Sequence, residues 1–406
     1  MGTTGKKLLF VDEHKIVNYA GGVEKVICSF ANEFLSRGWE PSIVCMDLEK
    51  GMPLYQLESA VHFVNLAYDK DGNLDFGGIP WFWKKLQKEL LRTFAGPEMR
   101  WRGKKVRDPK QEYYFDEFIR RLELYMEETR PDVVLAISAD SAYLAQRAMG
   151  GKNIPVIAMC HTDPSRYIGI YEPRQLEAWR RCRCVQVLME SFAAPMEKAG
   201  VSHVVRIPNA VMQVSEEEVR DLSQCRKRII TVGRIDGSVK RQHLLVEAFS
   251  HIAEKYPDWS VHIYGNVANQ RYKKRMDRFI REHHLEEQIV FEGVTHDMKE
   301  CLHSADIFVF PSVFEGFGLA LVEAMSMGLP VIGCEECTAV NELIEHDRTG
   351  LLSKADSRSL SEHLIDLIEH PELRIRLGKE AHESAKQYAP ERVWKQWETL
   401  LNEIVG

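Results

Sequence analysis

The chain contains 406 residues, of which 45% are hydrophobic and 28% are charged, and its formal net charge at pH 7 is −7. This composition is typical of a soluble globular protein and excludes a disordered or fibrous chain. The negative charge argues against nucleic acid as the main partner, and the length predicts two domains of roughly 150–200 residues each.

The first half of the chain alternates strand and helix patterns. A strand is predicted at 6–11, an amphipathic helix at 21–38 and a second strand at 41–46. Further strands are predicted at 132–138, 155–160 and 184–189, each beside a helical pattern. This alternation is typical of a doubly wound, mostly parallel α/β sheet, so we assign residues 1–210 to an N-terminal Rossmann-like domain.

A second series of strands begins near residue 228. Strands are predicted at 228–233, 259–265, 288–293, 306–312 and 329–334, with helices between them, which defines a second Rossmann-like domain over 228–390. Residues 211–227 are polar and acidic and are predicted to be a linker, while a helix over 391–406 is expected to pack back on the first domain. Two such domains face each other across a cleft at the carboxyl ends of their strands, where open α/β sheets bind ligands.

The nine cysteines have scattered spacings, and those in apolar runs are expected to be buried, reduced thiols. Cys334 and Cys337 form a single CxxC, which without a second pair of ligands does not predict zinc. The N-terminal apolar run is too short for a signal peptide, and no stretch approaches the length of a membrane span. We therefore expect a cytoplasmic protein.

Glycines and cations follow predicted strands at two points. Gly21 and Gly22 open the first helix, where backbone N–H groups approach an anion closely, or where they merely form a flexible turn. No GxGxxG follows the first strand, which argues against a dinucleotide-binding dehydrogenase. Arg234 and Lys240 lie in a glycine-containing loop after the strand at 228–233, and two cations there suit a diphosphate. Solvated charge is the alternative, but cations are unfavourable at a helix start.

Residues 312–333, "SVFEGFGLALVEAMSMGLPVIG", place Glu315 in a glycine loop and Glu323 in an apolar helix. The backbone N–H groups of Phe317, Gly318 and Leu319 begin that helix and are available to a phosphate or a hydroxyl. Glu315 is positioned to accept hydrogen bonds from sugar hydroxyls. A carboxylate on an apolar helix, as Glu323 is, requires a partner.

These motifs together carry a resemblance. Gly-Gly-x-Glu near the N-terminus, Val-Gly-Arg followed by Lys, and Glu-x7-Glu within 312–333 resemble glycosyltransferase family 4, which comprises retaining, nucleotide-sugar-dependent enzymes of the GT-B fold. The resemblance runs from about residue 6 to 385 and is strongest over 229–352.

The resemblance implies roles for the donor-site residues. Glu315 would bind hydroxyls of the donor sugar and Glu323 the ribose, while Arg234 and Lys240 would hold the diphosphate. Gly265 and Val294 would line the base. Backbone groups of five residues would complete the phosphate site: Gly21, Gly22, Phe317, Gly318 and Leu319. Asn209 matches the family's Pro-Asn-Gly-Val hinge, with Ala210 in place of the usual glycine.

Two residues after the strand at 155–160 are candidates for the acceptor side. A lone histidine such as His161 is more often structural, but the family places a histidine here, near the donor sugar and the acceptor. Asp163 is a candidate for orienting the acceptor.

No metal is expected. The D-x-D string at 69–72 lies in a polar turn, remote from the cations and glycines, and is interpreted as a turn. No carboxylate is obviously placed to attack the anomeric carbon, so we expect a front-side displacement in which the leaving phosphate accepts the acceptor's proton.

Residues 79–110 carry ten Lys or Arg against three acidic residues. On a helical wheel, aromatic and aliphatic side chains occupy one side and cations the other: Phe82, Trp83, Leu86, Leu90 and Phe94 against Lys84, Lys85, Lys88 and Arg92. Such a helix either lies on an anionic membrane, at the inner face of which the protein would then act, or packs on its own domain with a solvated basic face.

The leading interpretation is a retaining transferase that moves a hexose or N-acetylhexosamine from a UDP-sugar to a glycan or lipid-linked acceptor in polysaccharide or lipopolysaccharide biosynthesis. The alternatives are another GT-B activity, a nucleotide-sugar epimerase or a phosphorylase, and a non-catalytic sugar-nucleotide-binding subunit. A phosphorylase would need pyridoxal phosphate on a lysine, for which the sequence offers no candidate.

Overall fold

The computed structural model describes residues 5–19, 21–76, 78–90, 108–295 and 297–406. Two parallel β-sheets dominate this part of the chain, and helices cover their faces. The α/β architecture predicted from alternating strand and helix patterns is confirmed.

The first sheet has seven strands in the order β3-β2-β1-β4-β5-β6-β7, all paired in parallel. Its strands are β1 Lys7–Val11, β2 Glu40–Cys45, β3 His62–Asn65, β4 Val133–Ala136, β5 Val156–Cys160, β6 Cys184–Val187 and β7 Val204–Arg206. The two edge strands, β3 and β7, were not predicted, because each is short and neither has a fully buried residue that would give it an apolar run.

The second sheet has six parallel strands in the order β10-β9-β8-β11-β12-β13. They are β8 Arg228–Val232, β9 Ser260–Tyr264, β10 Ile289–Gly293, β11 Ile307–Phe310, β12 Val331–Cys334 and β13 Leu351–Ser353. The three-residue edge strand β13 was also missed.

The helices follow the strands in both sheets. In the first half of the chain they are α1 Gly22–Ser36, α2 Gly78–Leu90, α3 Pro109–Thr129, α4 Ala139–Ala148, α5 Pro164–Tyr167, α6 Pro173–Arg181 and α7 Ala193–Lys198. In the second half they are α8 Gln242–Ser250, α9 Gln270–Glu282, α10 Met298–His303, α11 Leu319–Ser326, α12 Thr338–Leu343, α13 Ser357–Glu369, α14 Pro371–Ala385 and α15 Pro390–Val405.

The last helix, α15, lies on the core of the first domain. Its Trp394 and Trp397 rings are 5.2 and 4.8 Å from the ring of Phe30 in α1. Trp397 is only 2% exposed. Because this aromatic cluster lies between α1 and α15, helix α15 packs against the helix that follows the first strand of the chain.

The segment 211–227, predicted as a linker, is attached to the second domain. Arg220 is 4% exposed, and its guanidinium lies 3.0 Å from the carboxylate of the fully buried Asp306. The backbone N–H of Val214 donates to the hydroxyl of Ser326 in α11. The charged residues of this segment therefore include a buried ion pair as well as side chains exposed to solvent.

Helix α2 presents apolar side chains to solvent. Phe82 and Trp83 are 63% and 56% exposed, whereas the neighbouring Trp81 packs against Phe76. Lys85 is also exposed, and Lys88 pairs with Asp108. Phe94 and Arg92, which the helical wheel added to this pattern, lie outside the described residues. None of the helices within the described ranges is long and apolar enough to cross a membrane.

Candidate active site

The two domains contact each other where loops leave the carboxyl ends of their strands. A Cβ on Gly22, at the start of α1, would be 3.5 Å from Leu319 of α11. A Cβ on Gly316 would be only 1.8 Å from the carbonyl oxygen of His161. The predicted glycine loop, the histidine and the Glu315–Leu319 segment are therefore brought together from both sides of one cleft.

Lys240 and Glu315 form an ion pair at this cleft. The Lys240 Nζ lies 2.6 Å from Glu315 Oε1, and the side chains are 21% and 12% exposed. Lys240 lies between β8 and α8, where its aliphatic stem packs against Gly233, and Glu315 lies between β11 and α11. The two residues predicted to hold the diphosphate and the sugar are thus adjacent, and each neutralises the other.

Arg234 is half exposed, and its position is set by a residue that was not predicted. Its guanidinium donates to Asp236 Oδ2 at 3.0 and 3.1 Å. The other oxygen of Asp236 accepts from the backbone N–H of Val239, which holds the loop in shape. Tyr19 of the first domain also hydrogen-bonds to Arg234. Asp236 was missed because its role depends on a contact within the loop.

The start of α11 offers backbone donors. Gly318 is the N-cap with φ +101, a left-handed conformation that favours glycine. Within the described part of the chain, the N–H groups of Phe317, Gly318 and Leu319 donate to no protein acceptor. The Phe317 ring is buried against Tyr388, with ring centroids 5.2 Å apart, and this packing fixes the turn. Free donors and the helix dipole together suit an anion.

Glu323 has a protein partner in the structure. Its Oε1 lies 2.6 Å from the Nζ of Lys25, which comes from α1 of the other domain. Both side chains also line a cavity of about 980 Å³ between the domains. Lys25 was not predicted, although it follows Gly-Gly-x-Glu directly, because sequence spacing does not reveal a contact between domains.

His161 follows β5 and lines a separate cavity of about 560 Å³ in the first domain. Burial lowers the pKa of His161 to about 4, so its ring is neutral at physiological pH. Its Nε2 atom is buried and has no hydrogen-bond partner among the described residues. A neutral imidazole with an unused nitrogen is able to donate to or accept from a ligand hydroxyl.

Asp163, predicted to orient the acceptor, serves as the N-cap of α5. Its Oδ1 accepts from the backbone N–H and the hydroxyl of Ser165 at 2.9 and 2.6 Å. It does not line the cavity that contains His161. The structure therefore favours a structural role for this carboxylate.

The remaining predicted donor residues lie around the same cleft. Gly21 is the N-cap of α1, and a Cβ there would collide with Glu24. Gly265 has φ +144, and a Cβ on it would be 2.0 Å from the Gly233 carbonyl oxygen, so only glycine fits. Val294 is 55% exposed just after β10, and Asn209 is 7% exposed at the crossing between domains.

The structure also reveals carboxylates that were not predicted. Glu13, Glu24 and Asp140 line the cavity beside His161. Glu13 is the second residue after β1, and Asp140 lies at the start of α4, after β4. Polar residues after parallel strands are the signal that could have identified them, because such strands end at one edge of the sheet.

The D-x-D string forms the predicted turn. Asp69 Oδ1 accepts from the backbone N–H groups of Asp71 and Asn73 at 2.9 and 2.8 Å. Cys334 and Cys337 are buried free thiols. Two groups of side chains in the described ranges have metal-compatible spacing, Asp12–Glu13–His14 and Glu216–His382–Glu383, and neither contains these residues.

Family models match both halves of the chain. Residues 215–384 match the glycosyl transferases group 1, and residues 92–212 match glycosyltransferase family 4. An uncharacterized glycosyltransferase of Haemophilus influenzae is 22% identical over 390 residues, which cover 95% of this chain and 97% of that protein. The poly(ribitol-phosphate) alpha-N-acetylglucosaminyltransferase of Staphylococcus aureus is 26% identical over 206 residues, 50% of this chain and 39% of that protein.

Solved structures share the whole architecture. The sucrose-phosphate synthase of Thermosynechococcus elongatus superimposes with a TM-score of 0.75 at 16% identity, covering 98% of this chain and 99% of that one. HepE of Anabaena, solved with UDP and glucose, has a TM-score of 0.70 at 17% identity and covers 98% and 100% of the two chains. These similarities show the two-domain GT-B fold.

Proposed function

The chain belongs to the family 4 glycosyltransferases of the GT-B fold, and from that premise we propose that it moves a hexose or N-acetylhexosamine from a UDP-sugar to a glycan or lipid-linked saccharide. We place this transfer in cell-surface polysaccharide or lipopolysaccharide biosynthesis. The UDP and glucose bound by HepE support the donor class, and the name of the staphylococcal relative supports an N-acetylhexosamine as a sugar that can be transferred.

The observation that carries the proposal is the Lys240–Glu315 pair beside the start of α11. A UDP-sugar that enters the cleft brings a diphosphate for Lys240, Arg234 and the free N–H groups, and hydroxyls for Glu315. Each member of the ion pair thus exchanges its protein partner for a ligand group of matching chemistry. The arrangement is net neutral without donor, which limits the desolvation cost of an empty site.

The proposed chemistry retains the anomeric configuration. The acceptor hydroxyl oxygen forms a bond to the anomeric carbon on the face from which UDP departs, and the bond between that carbon and the phosphate oxygen breaks. The hydroxyl proton passes to the leaving phosphate oxygen, while Arg234 and Lys240 stabilise the charge that develops on UDP. Neutral His161 would hydrogen-bond the donor sugar. In this proposal no divalent metal is required.

A donor panel tests the activity. UDP-glucose, UDP-galactose, UDP-N-acetylglucosamine and GDP-mannose are incubated with the pure protein, with and without EDTA, and nucleotide release is measured. We expect slow release of UDP and no effect of EDTA, with the freed or transferred sugar initially in the configuration it had in the donor. An epimerised sugar nucleotide or strictly phosphate-dependent cleavage would instead support the alternative GT-B activities. No nucleotide release from any donor would contradict the enzyme assignment.

Single substitutions test the site itself. Lys240→Met and Glu315→Gln each remove one transition-state contact and should lower the rate about 10²–10³-fold. Lys255→Met is the matched control, since this exposed lysine pairs with Glu369 on the domain surface. Wild-type turnover in Glu315→Gln would refute the role of this carboxylate.

We also propose that α2 binds an anionic membrane, as a lipid-linked acceptor requires. The exposure of Phe82 and Trp83 next to Lys84 and Lys85 supports this interpretation over a helix whose apolar face is covered by its own domain. Each lysine near such a surface contributes about 1 kcal/mol, and apolar side chains insert below the headgroups.

Vesicle binding distinguishes the two interpretations of α2. Co-sedimentation with vesicles of phosphatidylglycerol and phosphatidylethanolamine should fall at least 10-fold in the double variant Phe82→Ser, Trp83→Ser. Leu124→Ser, which changes a 58% exposed side chain on α3, should bind as the wild type does. Equal binding by all three proteins would reject the membrane contact.

A further inference from the structure

The cavity beside His161 has features that the donor site does not use. Its volume is about 560 Å³, within the range of small-molecule sites, and it lies at the carboxyl ends of β1, β4 and β5. Three carboxylates line it, together with four aromatic side chains: Glu13, Glu24 and Asp140, and Tyr19, Tyr167, Tyr171 and Trp179. Since His161 also contacts Gly316 of the donor loop, the cavity opens next to the expected reaction centre.

Glu24 is a buried carboxylate without a partner from another residue. It is 6% exposed, and its carboxylate interacts with its own backbone N–H. In the described part of the chain, no other residue donates a hydrogen bond to this carboxylate. Burial, reinforced by the nearby Asp12, raises the pKa of Glu24 to about 7. Burying such a group is costly unless a ligand supplies the missing donor.

Asp140 and Glu13 add further hydrogen-bond acceptors. The Oδ1 atom of Asp140 is buried without a partner, while its carboxylate is otherwise held by Gln175. Glu13 accepts from the hydroxyls of Ser138 and Ser141, which fixes its orientation at the cavity wall. The wall therefore offers unused acceptor atoms on two different helices.

The cations at the rim are already engaged. The Nδ1 atom of His14 donates to Asp12 and lies 3.4 Å from Glu13, and the hydrogen bond to Asp12 raises the pKa of His14 to about 9. Lys15 points to Glu49 at 2.6 Å. Of the described residues that line this cavity, the two cations therefore each have a carboxylate partner already, Asp12 for His14 and Glu49 for Lys15.

Aromatic rings complete the wall. Tyr171 packs edge-on against Trp179 with ring centroids 5.0 Å apart, and Tyr167 stacks on Tyr171 at 6.3 Å. Aromatic surface together with a few polar groups of fixed orientation is typical of sites that bind small polar molecules with an apolar face, as sugar rings have.

We propose that this cavity binds the reacting sugar of the acceptor in a neutral or amine-bearing form, with Glu24 and Asp140 accepting hydrogen bonds from its hydroxyl or ammonium groups. A reacting sugar that carries a carboxylate or a phosphate is disfavoured, because it would face three carboxylates on a wall whose two cations are already paired with Asp12 and Glu49. This inference rests on the proposed glycosyl transfer.

Binding of simple glycosides tests the inference directly. Saturation-transfer NMR in the presence of UDP is recorded with p-nitrophenyl β-glucoside, its 2-amino-2-deoxy analogue and p-nitrophenyl β-glucuronide. We expect saturation of the glucoside and the amino glycoside, and at least 10-fold weaker binding of the glucuronide. Equal or preferred binding of the glucuronide would overturn the inference, and so would the absence of binding by both other probes.

Two variants locate the binding to these carboxylates. Glu24→Gln and Asp140→Asn should each weaken binding of the amino glycoside at least 10-fold and reduce the discrimination against the glucuronide, while the Kd for UDP stays within about twofold. Glu33→Gln, on the same helix α1 but paired with Arg37, is the control and should behave as wild type. Unchanged glycoside binding in both cavity variants would refute their role, as would a loss of UDP binding in Glu24→Gln.

The outcome is separable from that of the donor experiment. If UDP-sugars are hydrolysed and the glucuronide binds as well as the glucoside, the transferase proposal stands and the acceptor class is wrong. If the glycosides bind as expected but no donor is turned over, the cavity assignment stands and the transferase proposal fails.

Discussion

The buried carboxylate of Glu24, which we propose binds the acceptor, lowers the stability of the folded protein when it is charged. Its pKa of about 7 in the folded protein compares with 4.5 for an ordinary glutamate. The folded state therefore holds this proton more tightly than the unfolded state between these two pH values, so the contribution of Glu24 to stability falls as the pH rises through that window. Above pH 7 the buried carboxylate is charged in both states and is destabilising.

We predict that Glu24→Gln stabilises the protein at pH 8 by about 1–3 kcal/mol, because the amide carries no charge to bury. The gain should shrink as the pH is lowered and vanish near pH 4.5. Urea unfolding of both proteins at pH 8, 6.5 and 5 measures the difference. A gain that is independent of pH would show that burial of charge is not its cause.

At Gly316 the donor loop of the second domain lies directly against the backbone of His161 in the first domain. We predict that Gly316→Ala lowers kcat/KM about 100-fold, since a Cβ 1.8 Å from the His161 carbonyl oxygen forces the donor loop away from the first domain. The melting temperature should change little, because the clash lies between domains. Gly169→Ala, where a Cβ meets nothing within 4 Å, is the control. An active Gly316→Ala would show that this approach is not needed.

At this scale the sequence predicts residues whose role follows from their place after a strand. Glu315 and Lys240 were predicted to face the cleft because each follows a predicted strand, and His161 was a candidate through the family resemblance; the structure places all three beside the cleft. Lys25 and Asp236 were not, because their roles depend on partners that only the folded chain brings near: a carboxylate of the other domain for Lys25 and a guanidinium within the same loop for Asp236.

At the scale of elements, helix α12 supplies a contact that holds the domains together. Glu342 on α12 accepts hydrogen bonds from the backbone N–H groups of Glu190 and Ser191 at 2.8 and 2.9 Å, and from the Ser191 hydroxyl. The carboxylate thus caps a short turn of the first domain from across the cleft, where the turn's own N–H groups would otherwise lack partners.

We predict that Glu342→Ala shifts the protein toward an open arrangement of the domains. Loss of about 1 kcal/mol of hydrogen bonding should raise the KM for the donor roughly three- to tenfold with little change in kcat. Glu345→Ala, which removes only an exposed pair with Arg348, serves for comparison. Small-angle scattering with saturating UDP should give a larger radius for Glu342→Ala, and identical radii and KM values would argue against the contact.

Long, buried strands were the elements that the sequence predicted best. Central strands such as β1, β4 and β11 are continuous buried runs and were located to within one or two residues. The edge strands β3 and β7 are only partly buried and were missed. Helix α2 shows the converse, since its apolar periodicity predicts a helix but does not indicate whether the apolar face is covered.

At the scale of the whole molecule, the aromatic contact of α15 with α1 ties the end of the chain to its beginning. We predict that Trp397→Ala destabilises the first domain by about 3–5 kcal/mol, since it removes a buried ring that packs on Phe30. Gln396→Ala, an exposed neighbour on the same helix, should be neutral.

Guanidinium unfolding monitored by tryptophan fluorescence and by circular dichroism measures this effect. A first transition at lower denaturant in Trp397→Ala, followed by a second transition at the wild-type position, would place the loss in the first domain. A uniform shift of one transition would show that the two domains unfold together, and an unchanged curve would contradict the prediction.

The return of α15 to the first domain also has a consequence for synthesis on the ribosome. The residues of the first sheet, through β7 at Arg206, are translated long before Trp394 and Trp397. At a translation rate of about 5–20 residues per second, the apolar surface around Phe30 stays exposed for roughly 10–40 s until Trp394 and Trp397 have been synthesised. The first sheet is thus made well before the helix that covers Phe30, and premature termination between residues 210 and 390 leaves that surface open to chaperones and proteases.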